Sequence, residues 1–169
     1  MWVMRVHLGS DHAGFELKEH LAAWLRAQGH ESVDHGPYVY DAVDDYPPFC
    51  LRTAEAVLSE PASRGVVVGG SGNGEQIAAN KVLGVRAVLA WSRETAELGR
   101  LHNDANVMSV GARMHPVEEV IGFLDVFLST EFTRDARHER RIAMLTDYEQ
   151  TRRLPELPAP TRPSSGGEV

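Results

Sequence analysis

Short apolar runs alternate with longer amphipathic segments along most of the chain. The segment after the first run has Phe15, Leu17, Leu21, Trp24 and Leu25 at near-helical spacing, which predicts a helix. The same pattern predicts helices over 11–30, 49–58, 75–81, 92–103, 115–130 and 135–153. The runs themselves predict strands over 2–9, 30–36, 63–70, 85–91 and 106–111. Strands that alternate with helices predict an α/β protein whose parallel sheet is covered on both faces.

Single residues indicate where some of these helices begin and end. Gly29 is suited to end the first helix, because glycine adopts the left-handed backbone that follows many helices. Ser92 is suited to cap the fourth helix through its hydroxyl group. Residues 154–169 are rich in Pro, Gly and Ser and predict a disordered tail behind one domain of residues 1–153.

The composition excludes several classes of protein. The formal net charge of −7 disfavours a nucleic-acid-binding protein, which usually carries a basic patch or a high pI. No apolar stretch is long enough to cross a membrane, and the first residues lack the pattern of a signal peptide. Cys50 is the single cysteine, so an intrachain disulfide is excluded and a reducing cytoplasm is the expected location. Its apolar neighbours predict a packing role in the core.

Polar residues follow three of the predicted strands at the point where each strand ends. Asp11 and His12 follow the first, a glycine-rich corner follows the third, and Arg113 follows the fifth. In parallel sheets of this kind, ligands bind at the carboxyl ends of the strands. The pattern therefore predicts one site at this edge of the sheet. Tyr46 either lines that site or is only an aromatic residue of a loop.

The glycine-rich corner, "GGSGNGE" at residues 69–75, matches neither common phosphate loop. A Walker loop needs Lys and Ser/Thr after its last glycine, and a dinucleotide fingerprint has another glycine spacing. Glu75 would also repel a phosphate. Backbone N–H groups of residues 71–74 could instead hold a developing oxyanion while Glu75 moves a proton. The alternative is that Glu75 only stabilises the start of a helix, by about 0.3–1 kcal/mol.

Further polar residues lie near the ends of the last helices. His102 and Asn103 end the fourth predicted helix, and Arg137 and Arg141 are four residues apart on the last one, where they could clamp a phosphate. Each has a structural alternative: a histidine that interacts with the helix dipole, or arginines on a solvated face. The spacing of the histidines and Asp11 matches no zinc pattern, so we predict no metal and no cofactor.

Four segments resemble the ribose-5-phosphate isomerase type B family, and they occur in the family's order: "GSDHAGFELK", "GGSGNGEQIAANK", "HNDANVMSVGAR" and "RHERRI". The resemblance extends over nearly the whole chain except the tail. Subunits of galactose-6-phosphate isomerases are relatives, so membership alone does not identify the sugar. The resemblance implies a Rossmann-like three-layer fold with five parallel strands and a C-terminal helix. It also implies a homodimer with shared active sites and no metal.

The resemblance further implies an activity and the residues that carry it. The expected reaction interconverts D-ribose 5-phosphate and D-ribulose 5-phosphate through an enediolate, in the pentose phosphate pathway. Carried over by motif, His102 assists ring opening. The residues expected to contact the substrate are Asp11, His12, Gly70, Ser71, Gly72, Asn73, Gly74, Asn103, Arg113, Arg137 and Arg141.

One position departs from the pattern of many family members. They carry a cysteine in the glycine-rich corner, where its thiolate is the base, and this chain has Ser71 there. A serine hydroxyl is no free base at neutral pH, whereas Glu75 is the nearest carboxylate on the same turn. The chain thus resembles a serine–glutamate subgroup found in actinobacteria. We expect burial to raise the pKa of Glu75 against the opposing helix dipole, which suits a general base.

Two other classes of function remain open from the residues. One is a sugar-phosphate-binding domain without catalysis, which would need the arginines but not Glu75 and His102. The other is an interaction module that uses the proline-rich tail to contact a partner.

Overall fold

A single parallel sheet forms the centre of the computed structural model, which describes residues 3–159. Its strand order is β2-β1-β3-β5-β4, and every neighbouring pair is parallel. This confirms the predicted α/β fold and its five strands. The strands are β1 Arg5–Ser10, β2 Glu31–Asp34, β3 Arg64–Gly69, β4 Ala87–Leu89 and β5 Val107–Gly111.

All six predicted helices are present. They are α1 Phe15–Ala27, α2 Pro47–Ser59, α3 Asn73–Ala79, α4 Arg93–Asn103, α5 Val117–Ser129 and α6 Ala136–Thr151. Several predicted boundaries were wrong by a few residues. Residues 12–14 form a 3-10 turn capped by Asp11 rather than the first turn of α1, and β4 is shorter than 85–91. Ser92 caps α4 as predicted, because its hydroxyl accepts a hydrogen bond from the Thr95 N–H at 3.1 Å.

Helices cover both faces of the sheet and enclose two separate cores. Successive strand residues point to opposite faces, so Val66 and Val68 join the core under α1, α4 and α5. Val67 joins the core under α2 and α3, where Cys50 is fully buried. The predicted packing role of Cys50 is confirmed.

The C-terminal helix α6 packs against α4 near its end. The Thr133 hydroxyl donates to the Leu101 carbonyl oxygen at 3.0 Å, and the His138 ring stacks on His102. Residues 152–159 are exposed and form no regular secondary structure. Residues 160–169 of the predicted tail lie outside the described residues, so its disorder stays a prediction. No helix within residues 3–159 has the length and apolar character needed to cross a membrane.

Candidate active site

A crevice lies at the carboxyl ends of β1 and β3, where the topology changes direction. These strands are neighbours, but β1 leads to α1 on one face and β3 leads to α3 on the other. The two helices therefore diverge and leave room between the strand ends, which is where open α/β sheets bind ligands. Asp11 follows β1 and the glycine-rich corner follows β3, so these predicted site residues lie at the same edge of the sheet.

Two glycines of the corner are required by its geometry. Gly72 has a φ of 83°, and a Cβ there would press on the Val110 backbone. A Cβ on Gly69 would overlap the carboxylate of Glu75. The corner is tied to the next strand, because the Ala112 N–H donates to the Gly69 carbonyl oxygen at 2.7 Å. The glycines thus let Glu75 lie directly against the end of β3.

Glu75 is a buried carboxylate with a shifted pKa. Only 4% of the residue is exposed. Burial raises the pKa of Glu75, the charge of Asp11 raises it further, and backbone N–H groups of Glu75 and Gly72 oppose the shift. The direction predicted from the sequence is confirmed. A carboxyl group whose pKa moves toward neutrality is suited to accept and return a proton.

The shift predicts that Glu75 lowers stability at neutral pH. A raised pKa means that the folded state binds the proton more tightly than the unfolded state, so stability is lost as the pH rises through the folded-state pKa. We expect Glu75→Gln to have a higher free energy of unfolding than the unsubstituted protein at pH 7, and the difference to shrink toward pH 4. Urea unfolding across this range measures it. Glu94→Gln is the matched control, since Glu94 is an exposed glutamate in the first turn of α4.

Ser71 stabilises the corner in this structure. Its hydroxyl oxygen accepts hydrogen bonds from the Asn73 N–H at 3.3 Å and from the Asn73 side-chain amide at 3.2 Å. These contacts support the turn into α3. They agree with the expectation that Ser71 orients groups rather than acting as a base.

Arg113 and Tyr46 border the corner from two sides. A Cβ on Gly70 would lie 3.3 Å from an Arg113 guanidinium nitrogen, so this cation rests beside the corner. A Cβ on Gly74 would lie 2.7 Å from the Tyr46 ring. Tyr46 therefore lies beside the glycine-rich corner, and it also packs against the core under α2 and α3.

His12 is held by an aspartate that the sequence analysis missed. The Asp44 carboxylate lies 2.8 Å from His12 Nδ1 and accepts the His12 backbone N–H at 2.8 Å. This hydrogen bond raises the pKa of His12. The loop also contains Asp41 and Asp45, and no sequence signal distinguishes Asp44 from them. Asp11 accepts the Gly14 N–H at 3.0 Å and so caps the 3-10 turn that follows β1.

The remaining predicted residues lie at the opposite edge of the sheet. Helix α4 runs back from the end of β4 toward the start of β5, and His102 and Asn103 are its last two residues. Arg86, which directly precedes β4, donates to the Asn103 carbonyl oxygen at 2.7 Å. The His102 ring stacks on His138 of α6, with ring centroids 4.4 Å apart. Within one chain, these residues are therefore separated from Glu75 by the length of the strands.

Arg137 and Arg141 belong to this second group. Both are exposed on α6. The pKa of His138 is lowered mainly by burial, and the charges of Arg137 and Arg141 lower it further. The sequence-predicted residues thus form two clusters. The corner cluster has Asp11, His12, Glu75, Arg113 and the glycine-rich loop, and the helix-end cluster has His102, Asn103, Arg137 and Arg141.

Comparison with known proteins identifies the family. A sequence model of the family described as "Ribose/Galactose Isomerase" matches residues 6–145. The chain belongs to this family.

Similar proteins extend over almost the same length as this chain. Ribose-5-phosphate isomerase B of Mycolicibacterium paratuberculosis is 53% identical over 155 residues, which are 92% of this chain and 98% of that protein. The protein of the same name from Mycobacterium tuberculosis is 51% identical over 155 residues, which are 92% of this chain and 96% of that protein. Among solved structures, ribose-5-phosphate isomerase B of Mycoplasma genitalium with bound ribulose-5-phosphate has a TM-score of 0.84 at 38% identity, covering 89% of this chain and 99% of that one.

Neither a reactive cysteine nor a cluster of metal ligands is found in the described part of the chain. Burial raises the pKa of the Cys50 thiol, and the charges of Glu75 and Asp11 add to the effect, so the cysteine stays protonated. Within residues 3–159, no group of three or more His, Cys, Asp or Glu side chains could hold a metal ion.

The contact between Asp44 and His12 leads to a further prediction. In Asp44→Asn the charge that favours protonated His12 is removed, so we expect the pKa of His12 to fall. NMR titration of the imidazole measures this. If His12 contacts the substrate, kcat/KM should fall by up to about tenfold, the effect of weakening one charge-assisted hydrogen bond. Asp45→Asn is the matched control, and a His12 pKa that does not differ between the two variants would contradict the prediction.

Proposed function

We propose that the protein interconverts D-ribose 5-phosphate and D-ribulose 5-phosphate. The main observation behind this proposal is that Glu75 is buried and has a raised pKa. It lies at the end of the glycine-rich corner, beside backbone N–H groups. Support comes from the family, and from the relative whose structure contains ribulose-5-phosphate. A protein that only bound sugar phosphates would have no need for this carboxylate, which costs stability.

The proposed chemistry follows from the positions of the donors and the base. Glu75 removes the proton from carbon 2 of the open-chain aldose, and the electron pair of that C–H bond forms the enediolate. The negative charge moves to the former carbonyl oxygen, which backbone N–H groups of residues 71–74 stabilise. Since Asn73 and Gly72 already donate to Ser71 and Glu75, the N–H groups of Ser71 and Gly74 are the remaining donors. The hydroxyl proton on oxygen 2 passes to oxygen 1, and Glu75 returns its proton to carbon 1, which leaves the carbonyl at carbon 2 and forms the ketose. One carboxylate that alternates between base and acid completes the transfer, and Ser71 orients the reacting end.

We propose that a second copy of the chain completes the site. His102, Asn103, Arg137 and Arg141 cannot reach the Glu75 of their own chain, because they lie at the other edge of the sheet. In a homodimer they would open the sugar ring and bind the phosphate at the partner's corner, together with Arg113. Exposed apolar residues support such an interface, namely Ile77 of α3 and Met144, Leu145 and Tyr148 of α6.

The proposed setting is the pentose phosphate pathway in the cytoplasm. The reaction consumes and produces five-carbon sugar phosphates, and Cys50 is unpaired, as expected in a reducing compartment. No nucleic acid and no membrane is part of the proposal. The assignment to a serine–glutamate subgroup and the one-domain division at residue 153 stay predictions.

The decisive assay compares three substrates with the purified protein. We expect the highest kcat/KM with ribose 5-phosphate, compared with allose 6-phosphate and galactose 6-phosphate. EDTA should leave the rate unchanged. A higher kcat/KM for a six-carbon sugar phosphate would reassign the substrate, and binding without turnover would favour the non-catalytic alternative.

A further inference from the structure

A cavity of about 580 Å³ opens at the amino edge of the sheet, the edge opposite Glu75. Its charged lining comes from elements far apart in sequence: Arg64, Arg86, Arg100, Asp104, Glu131 and Arg134. The four guanidinium groups and two carboxylates leave an excess of two positive charges. Such a concentration of positive charge is unexpected in a chain whose net charge is −7.

Two of the arginines are already bound to protein groups. Arg100 is 3% exposed, and its guanidinium donates to an Asp104 carboxylate oxygen at 2.8 Å and to the Thr130 carbonyl oxygen at 3.2 Å. Arg86 donates to the other carboxylate oxygen of Asp104 at 3.2 Å. Asp104 is therefore hydrogen-bonded to two cations, and it acts on a third only by longer-range attraction.

Arg64 is that third cation, and one nitrogen of its guanidinium group lacks a hydrogen-bond partner in the described part of the chain. Its Nε atom is buried and has no hydrogen-bond partner among residues 3–159, while Nη1 donates to the Ser63 carbonyl oxygen at 2.9 Å. Burial lowers the pKa of Arg64, and the positive charges of Arg100 and Arg86 lower it further, while the charge of Asp104 opposes the shift. A guanidinium group still stays charged at neutral pH. A partly buried charge that is only partly compensated is unfavourable, so an anion in the cavity would stabilise it.

Arg134 supplies the fourth cation from the loop between α5 and α6. Its backbone is left-handed, with a φ of 57°, a conformation that residues other than glycine adopt at a cost. The residue is exposed, so its side chain is free to close on a ligand.

We propose that this cavity binds a small phosphorylated metabolite, with Arg64 and Arg134 as the ligands of its phosphate group. A phosphate monoester carries a charge of about −1.5 to −2 at neutral pH, which matches the two excess positive charges. Guanidinium groups bind phosphate oxygens in pairs of parallel hydrogen bonds. The volume is in the range of about 300–1,000 Å³ that small-molecule sites occupy, so it also accommodates the organic part of the ligand.

The test must distinguish this cavity from the corner, where phosphate also binds under the proposed function. Inorganic phosphate is titrated into the full-length ¹⁵N-labelled protein, and amide shifts are followed by NMR. Asn106 and Thr130 report on the cavity, and Gly72 and Gly74 report on the corner. We expect saturable shifts at both places. In Arg64→Gln the dissociation constant read from the cavity amides should rise by about tenfold or more, while the corner amides keep theirs.

Three further arms complete the design. Arg134→Gln, in an exposed loop, should weaken cavity binding in the same way and keeps the proposal testable if Arg64→Gln does not fold. Arg52→Gln removes an exposed arginine of α2 and should leave cavity binding unchanged. Malonate, a dicarboxylate, should bind the cavity more weakly than phosphate. The proposal is wrong if the cavity amides show no saturable shift, if both cavity variants bind like the unsubstituted protein, or if malonate binds as tightly as phosphate.

Discussion

Glu75→Gln should lower kcat by a factor of about 10² to 10⁴, the usual contribution of general base catalysis. Glutamine keeps the shape of the side chain and can still accept a hydrogen bond, but it cannot take the proton from carbon 2. KM should change little, because in the proposed site the arginines, and not Glu75, bind the phosphate end of the substrate. Steady-state kinetics with ribose 5-phosphate measure both constants.

Ser71→Ala is the control that separates the base from the residue beside it. The Ser71 hydroxyl contacts Asn73 and supports the turn, so its loss should reduce kcat less than the loss of the Glu75 carboxylate. Exchange of the carbon 2 proton with solvent should vanish in Glu75→Gln and persist in Ser71→Ala. If Ser71→Ala is the more damaging substitution, or Glu75→Gln turns over at a near-normal rate, Glu75 only stabilises a helix start.

Folding of the variant must be checked separately from its activity. The raised pKa of Glu75 predicts that Glu75→Gln is at least as stable as the unsubstituted protein at pH 7. A variant that is stable but slow would therefore have lost chemistry rather than structure, which is the trade-off expected of a buried catalytic carboxylate.

Mixing two inactive variants should restore activity if each site takes residues from both subunits. Glu75→Gln affects the corner cluster, and His102→Ala affects the helix-end cluster. In a heterodimer of the two, one site carries both substitutions and the other carries neither. We therefore expect up to about half of the unsubstituted turnover per heterodimer, from a background of almost none. Differently tagged chains, co-purified after mixing, allow this rate to be measured.

A pair of variants from the same cluster provides the matched control. Glu75 and Arg113 lie at the same corner of one chain, so a heterodimer of Glu75→Gln and Arg113→Ala has a defect in both sites and should stay inactive. No recovery in a verified heterodimer of Glu75→Gln and His102→Ala would mean that the helix-end cluster does not complete the partner's site.

Local patterns were sufficient for most of the fold. Every predicted strand and helix is present, because alternation between short apolar runs and amphipathic segments reflects which faces must be buried. The ends of the strands and helices were predicted less accurately than their presence. Asp11 accepts the Gly14 N–H and starts a 3-10 turn, a choice that depends on one hydrogen bond rather than on periodicity.

The sequence by itself determined the parallel α/β sheet, the corner with its carboxylate and the edge at which they lie. Each of these depends on residues close together in the chain, and the rule that parallel strands share a carboxyl edge places them. The contacts that bury Glu75, the role of Asp44 and the separation of His102 from the corner were decided only by the tertiary structure. These features depend on which distant segments meet, and desolvation and hydrogen bonding across such contacts leave no periodic signal in the sequence. The arginine-lined cavity arose in the same way, since its four cations come from four separate segments of the chain.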